Sequence, residues 1–474
     1  MFKFLRRHKQ PKVLVIGLDC GSPELVFDTW PDLLPNLRGL MERGIYGNLM
    51  SSIPAITVPA WSSMLSSKDP GVLGFYGFRN RADYSYDKMT IATGAAVREK
   101  RVWEILGQVG KQVIVVGVPQ TYPVKPVNGY LVSSFLTPSV ERQYTHPNDL
   151  RYEIDRVLDG AEYDVDVRQF RTEDKDYLLQ QIYTMNDKQF KVMRYLIENK
   201  PWDFFMFVDM GVDRIHHGMW KYHDVTHPRH EPGNKYLHSI RDYYVHLDQQ
   251  IGTLLERIPP ETFVLVVSDH GVKAMHGGLC VNEWLRREGL LVLQEEPQGE
   301  GPIPFSKVKV DWSKTKVWGS GGYYARIFLN VEGREPQGTI PAAQYEQFRD
   351  DLAEAIRSIP APDGSDIGTR VFKPQEVYRQ VHNVPPDLIV YFGDLAWRSV
   401  GSFGHGGIYT FENDTGPDDA NHAENGMFIL ADPRAPGGGR RVADRQLMDV
   451  APTILNAFGL PVPADMQGSG MQDV

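Results

Sequence analysis

Short, largely apolar runs recur along the chain, and they constrain its fold more than any other feature. They do not alternate polar and apolar residues, which is typical of strands buried on both faces of a mostly parallel sheet. The runs are Lys12–Asp19, Gln112–Pro119, Asp203–Met210, Phe263–His270, Asp387–Phe392 and Met427–Asp432. The helical stretches between them are Val97–Val109, Asp174–Glu198, His238–Arg257 and Ala342–Ser358. This alternation predicts an α/β fold, a three-layer sandwich around a mostly parallel central sheet.

The composition of the chain changes after Glu283. Residues 295–304 are rich in Glu, Pro and Gly, and a run at 325–330 alternates polar and apolar residues. We therefore predict a smaller inserted cap subdomain at 282–374, between a first part of the catalytic core at 1–281 and a second part at 375–474. The polar segment Thr410–His422 is long enough to be a functional loop.

The composition also excludes several classes of protein. The net charge of -9 argues against a nucleic-acid binder, but a small anionic substrate is compatible because bound cations reverse the local potential. Cys20 and Cys280 cannot form a disulfide framework. No run approaches the roughly 18 apolar residues of a transmembrane segment. We expect a cytoplasmic enzyme, with no prediction of its oligomeric state. The basic residues 1–10 are either a solvated end or a contact for anionic lipid.

Metal-type side chains stand where the predicted strands end. Asp19 closes the first run, and Asp269 and His270 close another. Ligands of an open α/β sheet collect beyond the carboxyl ends of its strands. Because adjacent residues of an extended chain point to opposite sides, Asp269 and His270 could serve different ions of one dinuclear centre. Asp213 and His217 are four residues apart, so on a helix they share one face and can bind one ion.

Thr57 lies at the start of a predicted helix in which Pro59 suits the first turn. A helix N-terminus beside a divalent cation favours a negatively charged nucleophile and an incoming phosphate group. A threonine that only caps the helix is the competing interpretation. The nearby metal-type residues favour the nucleophile, because a pair of divalent ions can activate it for displacement at phosphorus.

Four segments together resemble the alkaline phosphatase superfamily: the strand that ends at Asp19, Thr57-Val-Pro-Ala-Trp, Asp213-x-x-x-His217 and Ser268-Asp-His-Gly. Within it, the resemblance is to the type I phosphodiesterase/nucleotide pyrophosphatase branch and its phosphohydrolase/phosphomutase group. A late segment, Met448–Pro463, is similar to the closing helix of the superfamily. The resemblance implies an alkaline-phosphatase-like fold.

The resemblance also implies two divalent ions, expected to be zinc, with manganese or another divalent metal as the alternative. One ion would be surrounded by Asp19, Thr57, Asp269 and His270. The other would be held by Asp213, His217 and a late histidine. For that position His422 fits better than His405, because a glycine and an apolar strand follow His422 within a few residues.

Three further residues are candidate substrate contacts, each with a plainer alternative: His405, Lys273 and His216. His405 would be a loop or substrate residue once His422 takes the metal. Lys273 is near enough to the Asp-His pair to contact phosphate, or is simply solvated. His216 lies about 100° round the helix from His217, so it lines the pocket or packs in the core.

These residues predict a metal-dependent phosphoester hydrolase of the phosphodiesterase/nucleotide pyrophosphatase type, with Thr57 as nucleophile and a small phosphoester as substrate. A phosphomonoesterase or phosphotransferase of the same superfamily is the alternative enzyme. A metal-stabilised binding protein without turnover is the alternative from another class. Ala60 and Trp61 stand where diesterases often place an asparagine, so the preference for mono- or diesters stays open.

Overall fold

The computed structural model describes residues 11–299 and 301–472. The basic segment 1–10, with its two interpretations, lies outside the described residues. In chain order the strands are β1 (Val13–Leu18), β2 (Ile45–Met50), β3 (Arg79–Arg81), β4 (Met89–Ile91), β5 (Val113–Val116), β6 (Gly129–Val132), β7 (Thr145–His146), β8 (Phe204–Asp209), β9 (Phe263–Val267), β10 (Gly271–Ala274), β11 (Gly277–Cys280), β12 (Val317–Ser320), β13 (Ala325–Leu329), β14 (Arg370–Phe372), β15 (Leu388–Tyr391), β16 (Trp397–Val400), β17 (Tyr409–Thr410), β18 (Ala420–Ala423), β19 (Asn425–Ala431), β20 (Arg440–Arg441) and β21 (Arg445–Gln446).

Helices occupy much of the chain between these strands. The α-helices are α1 (Pro35–Arg43), α2 (Thr57–Ser66), α3 (Pro70–Leu73), α4 (Val102–Gln108), α5 (Leu150–Val157), α6 (Lys175–Asn199), α7 (Gly211–His223), α8 (Ser239–Leu255), α9 (Val281–Arg287), α10 (Tyr345–Arg357), α11 (Pro374–Val377) and α12 (Val450–Ala457). Shorter turns of 3₁₀ or π type lie at Glu24–Thr29, Pro31–Leu33, Phe305–Lys307, Ala342–Gln344, Gly393–Leu395 and Leu447–Asp449. In the described part of the chain, no helix has the length and apolar character to cross a membrane.

The largest sheet has the strand order β20-β2-β19-β9-β1-β8-β5-β6-β7, and β21 also pairs with β2. Strands β9, β1, β8, β5 and β6 are mutually parallel, whereas β19 runs antiparallel to both β2 and β9. Helices α1, α6, α7 and α8 pack together as one layer, and α2, α4 and α12 pack together as another. The predicted three-layer α/β sandwich with a mostly parallel sheet is confirmed.

A second, smaller sheet lies beside the first, in the order β12-β13-β15-β14, and it is antiparallel throughout. The predicted strand 387–392 forms β15 of this sheet, so its assignment to the mostly parallel sheet is wrong. The physical reason is that β15 is also buried on both faces, and its sequence therefore has the same pattern. The apolar core around this sheet extends from Leu279 to Phe403. The division of the chain at 282 and 374 stays a prediction.

The predicted helices form, with ends that differ by a few residues. The largest change is at Val97–Val109, where the helix begins only at Val102. The side chain of Glu104 accepts a hydrogen bond from the amide of Arg101 at 2.9 Å, which closes the first turn there. In the predicted helix 342–358 the first residues form a 3₁₀ turn, and α10 begins at Tyr345.

The register of the central strands brings the motifs to one edge of the sheet. Leu18 pairs with Asp209 and Gly17 with Val267, so β1, β8 and β9 end side by side. After β1 the chain forms a turn at Asp19, after β8 it enters α7, and after β9 it reaches Asp269 and His270. Strands β10 and β18 form an antiparallel ribbon in which Val272 lies opposite His422. This pairing places His422 at the edge of the sheet where the other motifs lie.

Candidate metal centre

Two groups of three ligand-type side chains lie at this edge. They are Asp19, Asp269 and His270 in the first group, and Asp213, His217 and His422 in the second. Within each group the ligand atoms lie within 4.8 Å of one another, and all six side chains are buried. The rings of His270 and His422 stack with their centroids 3.7 Å apart, so the two groups are neighbours.

In the first group, each carboxylate has one oxygen anchored and one oxygen free. Asp19 Oδ2 accepts a hydrogen bond from Trp61 Nε1 at 2.7 Å, and Asp269 Oδ1 accepts one from the amide of Cys20 at 3.1 Å. Asp19 Oδ1 and Asp269 Oδ2 are buried without a hydrogen-bond partner among the described residues. Asp269 Oδ2 lies 3.2 Å from His270 Nε2. The two side chains of the Asp-His pair therefore face the same point and not opposite sides, which favours the shared ion that the resemblance implies. The reason is that β9 ends at Val267, so the backbone at the pair is no longer an alternating strand.

In the second group, the ligand atoms come from α7 and from β18. His217 Nε2 lies 3.2 Å from Asp213 Oδ1, one helical turn away, as the spacing predicted. His422 Nε2 lies 3.3 Å from His217 Nε2 and 3.9 Å from Asp213 Oδ1. A carboxylate oxygen and two ring nitrogens thus face one another at the distances expected around a common cation.

Each histidine of the two groups is held through its other ring nitrogen. His217 Nδ1 lies 2.7 Å from Asp418 Oδ1, and His270 Nδ1 lies 3.1 Å from the carbonyl oxygen of Gly271. His422 Nδ1 lies 2.9 Å from the carbonyl oxygen of Ala55. An oxygen acceptor keeps the proton on Nδ1 and leaves the lone pair of Nε2 free, as is usual for histidines that bind metals.

The electrostatics of the first group also favour a cation. Burial and the repulsion between neighbouring carboxylates raise the pKa of Asp19 and Asp269 well above the usual aspartate value. Burial lowers the pKa of His270 to about 4 and lowers the pKa of His422 as well. In the first group, the two buried carboxylates and the neutral imidazole of His270 gain from a divalent ion, which supplies the positive charge that this group otherwise lacks. The residues present therefore fit two divalent ions with nitrogen and oxygen ligands.

Thr57 is the first residue of α2 and faces the first group. Its Oγ1 lies 3.5 Å from His270 Nε2. The N-cap position belongs to Ile56, and no side chain caps the helix. The interpretation of Thr57 as a plain capping residue therefore has no support. Trp61 lies one turn further along the same face, and its indole holds Asp19.

A cavity of about 560 Å³ opens above the second group and Thr57. Its wall contains aromatic side chains, those of Phe78, Phe135, Phe170, Tyr323 and Tyr324. It also contains arginines, namely Arg79, Arg171, Arg214, Arg326 and Arg398. A space of this size, with positive charge and aromatic surface next to a metal-type site, suits a small anionic ligand.

The sequence of residues 13–418 matches the family described as type I phosphodiesterase / nucleotide pyrophosphatase. The chain belongs to this family. The resemblance to the alkaline phosphatase superfamily is thereby confirmed, and the protein is a hydrolase of phosphoric esters from a metal-dependent family. No curated protein sequence matches the chain.

Solved structures similar to this family member show the same fold. One is murine ectonucleotide pyrophosphatase/phosphodiesterase 5, solved as an inactive threonine-to-alanine variant with AMP. It is 12% identical in sequence, with a TM-score of 0.56, and the match covers 97% of this chain and 98% of that chain. Phosphonoacetate hydrolase from Sinorhizobium meliloti, solved with phosphonoacetate, has 14% identity and a TM-score of 0.60, with 95% of each chain covered.

The three predicted substrate contacts lie away from the cavity of this family member. The ring of His216 is fully buried and stacks on Tyr244, with centroids 5.7 Å apart. Lys273 Nζ donates a hydrogen bond to the carbonyl oxygen of Asp394 at 2.6 Å. His405 Nε2 lies 2.8 Å from Ser402 Oγ in a loop. None of the three is among the described residues that line the cavity. Their role as substrate contacts stays a prediction that their placement does not support.

Asp418 is a functional residue that the sequence reasoning missed. Its Oδ1 holds His217, and its Oδ2 accepts hydrogen bonds from the hydroxyl of Tyr323 at 3.0 Å and from Arg171 Nε at 3.1 Å. Burial lowers the pKa of His217, but the carboxylates of Asp418 and Asp213 outweigh it and raise that pKa to about 9. The only sequence signal for Asp418 was its place in the predicted loop, four residues before His422.

We expect Asp418→Asn to weaken metal binding at the second group by about 10–100-fold, because an amide holds the ring of His217 less firmly than a carboxylate. The measurement is competition for zinc against a chelator of known affinity. Asp444→Asn, at an exposed position, is the control and leaves zinc affinity unchanged. Equal affinities in the two variants would contradict the positioning role of Asp418.

Proposed function

We propose that this protein is a phosphodiesterase or nucleotide pyrophosphatase with a dinuclear metal centre and Thr57 as its nucleophile. The observation that carries the proposal is the convergence of two buried ligand groups beside the hydroxyl of Thr57. Membership of the family supports the phosphoester chemistry. The murine relative, whose solved inactive form carries a threonine-to-alanine substitution, supports the choice of a threonine.

In this proposal the first ion would be held by Asp19, Asp269 and His270 together with Thr57, and the second by Asp213, His217 and His422. Zinc is the expected metal because the ligands combine imidazole nitrogens with carboxylate oxygens, and manganese is the alternative. When bound, the ions supply positive charge that favours the deprotonated threonine and stabilises charge on the oxygens around phosphorus.

The side chains of the protein then perform a double displacement. Thr57 Oγ1 gives its proton to solvent and bonds to phosphorus, while the bond from phosphorus to the leaving oxygen breaks and the leaving group departs as an alcohol, or as an oxyanion where its pKa is low. Water next adds to phosphorus and breaks its bond to Thr57 Oγ1, which releases a phosphomonoester and restores the hydroxyl. Trp61 and the amide of Cys20 keep Asp19 and Asp269 in place throughout. The N-terminus of α2, where Thr57 lies, favours the negative phosphoryl group.

A panel of p-nitrophenyl esters tests the proposal against its alternatives. We expect the zinc-loaded protein to hydrolyse bis(p-nitrophenyl) phosphate with a kcat/KM at least about tenfold above that for p-nitrophenyl phosphate, because family members cleave diesters. The reverse preference would indicate the phosphomonoesterase. No turnover of either ester with zinc or manganese would indicate a binding protein. Phosphoryl transfer to an added alcohol would indicate the phosphotransferase. The cytoplasmic location and the absence of nucleic-acid binding stay predictions.

A further inference from the structure

The cavity above Thr57 carries more positive charge than its carboxylates neutralise. The carboxylates in its lining are Asp166 and Asp213, and both contact Arg214. Arg214 donates to the two oxygens of Asp166 at 3.0 and 2.8 Å, an arrangement that fixes both side chains. These two acids are therefore already engaged, and they leave no carboxylate of the lining for the other arginines.

Two of the remaining arginines form ion pairs with aspartates that do not line the cavity. Arg171 contacts Asp418 at 3.1 Å, and Arg398 contacts Asp414 at 3.2 Å. These ion pairs hold the two guanidinium groups in position and neutralise much of their positive charge. Arg398 keeps one buried nitrogen, Nε, without a hydrogen-bond partner among the described residues.

Arg79 and Arg326 differ, because neither forms an ion pair with any described residue. Arg326 is only 8% exposed, and its guanidinium donates to Ser320 Oγ at 2.9 Å and to the carbonyl oxygen of Arg79. Arg79 is exposed to the cavity. Arg79 lies on β3, which pairs with β4 in a separate two-stranded sheet, and Arg326 lies on β13; the hydrogen bond to the carbonyl oxygen of Arg79 joins the two segments. Burying a guanidinium without a counter-charge, as at Arg326, costs free energy that a bound anion would offset.

The same cavity is lined by Thr57 and His422, so an anion at the arginines would belong to a molecule that also reaches the nucleophile. We propose that Arg79 and Arg326 form an anion subsite for a second negatively charged group of the substrate, separate from the reacting phosphoryl group. This proposal rests on the proposed function. It narrows the substrate to small phosphoesters or pyrophosphates that carry a further oxyanion, either a phosphoryl group or a carboxylate.

Binding of matched phosphonates to the zinc-loaded protein tests the subsite without any turnover. Butylphosphonate carries one anionic group, phosphonobutyrate adds a carboxylate, and butylene diphosphonate adds a phosphoryl-type group; shorter chains of the same series vary the reach. Titration calorimetry measures the affinities. We expect the second anionic group of the ligand to tighten binding to the wild type by about 10–100-fold, the range for charge-assisted hydrogen bonds. The better of the two ligands identifies the kind of oxyanion.

Arg79→Gln removes one positive charge at an exposed position. In this variant we expect the gain in affinity from the ligand's second anionic group to fall below about threefold. Arg326→Gln should have the same effect, with its fold checked by thermal melting because the side chain is buried. Arg440→Gln, on the exposed strand β20, is the control and keeps the full gain. Equal binding of all the phosphonates to the wild type, or a full gain in Arg79→Gln, overturns the subsite.

The ester panel distinguishes a failure of the subsite from a failure of the proposed function. Turnover of bis(p-nitrophenyl) phosphate without any gain from the second anionic group leaves the function standing and overturns the subsite. A gain that depends on Arg79, in a protein that turns over no ester of the panel, supports the subsite and overturns the proposed diesterase function with its threonine nucleophile.

Discussion

Thr57→Ala should lower kcat for bis(p-nitrophenyl) phosphate by about 10³-fold or more, because loss of a nucleophile removes the covalent pathway altogether. Metal content should persist, since Asp19, Asp269 and His270 still supply their ligand atoms to the first ion. The fold should also persist, because Thr57 makes no capping hydrogen bond and alanine suits a first helical turn. The measurements are steady-state kinetics on zinc-loaded protein and elemental analysis of the same sample.

Two control variants make this result specific to the nucleophile. Thr57→Ser keeps the hydroxyl and should retain turnover within about tenfold of the wild type. Ser63→Ala removes a buried hydroxyl from the same helix, one without a hydrogen-bond partner among the described residues, and should leave kcat unchanged. Phosphate label trapped on Thr57 by an acid quench would identify the covalent intermediate directly. Retained turnover in metal-loaded Thr57→Ala would contradict the proposed role.

The part of the site that could be predicted is the part encoded by local spacing. Asp213 and His217 share a helix face because they are four residues apart, and that relation survives whatever α7 packs against. Asp19 directly follows an apolar strand whose carboxyl end had to lie at an edge of the sheet. Thr57 and Trp61 are likewise four residues apart, so their shared helix face toward the first group was present in the sequence although it was not used.

The part that could not be predicted depends on contacts between distant segments. Arg326 and Arg79 meet across 247 positions of the chain, and no pattern around either residue indicates the other. Asp418 holds His217 from 201 positions away. Strand β15 shows the same limit for the fold, because burial on both faces gives it the sequence of a central strand while its pairing places it in the second sheet.

His422→Ala should remove one of two bound ions and lower kcat/KM by more than about 10²-fold. Even a change in the outer shell of a metal site costs 10–100-fold, so loss of a ligand atom should cost more. His422 Nε2 lies 3.3 Å from His217 Nε2, and its ring stacks on that of His270, so the substitution opens the second group beside the first. Elemental analysis after dialysis against limiting zinc measures the stoichiometry, and the p-nitrophenyl diester measures the rate.

His405→Ala is the matched control, because it removes the other histidine that the sequence offered for this position. The ring of His405 contacts Ser402 Oγ at 2.8 Å and belongs to neither ligand group. Both ions should therefore remain, with kcat/KM within about threefold of the wild type, the range of a surface loop change. Two ions retained in His422→Ala would contradict the role of His422 as a ligand. One ion lost in His405→Ala would assign that role to His405. Because both variants remove the same imidazole, the difference between them isolates the ligand position from any general effect of losing a ring.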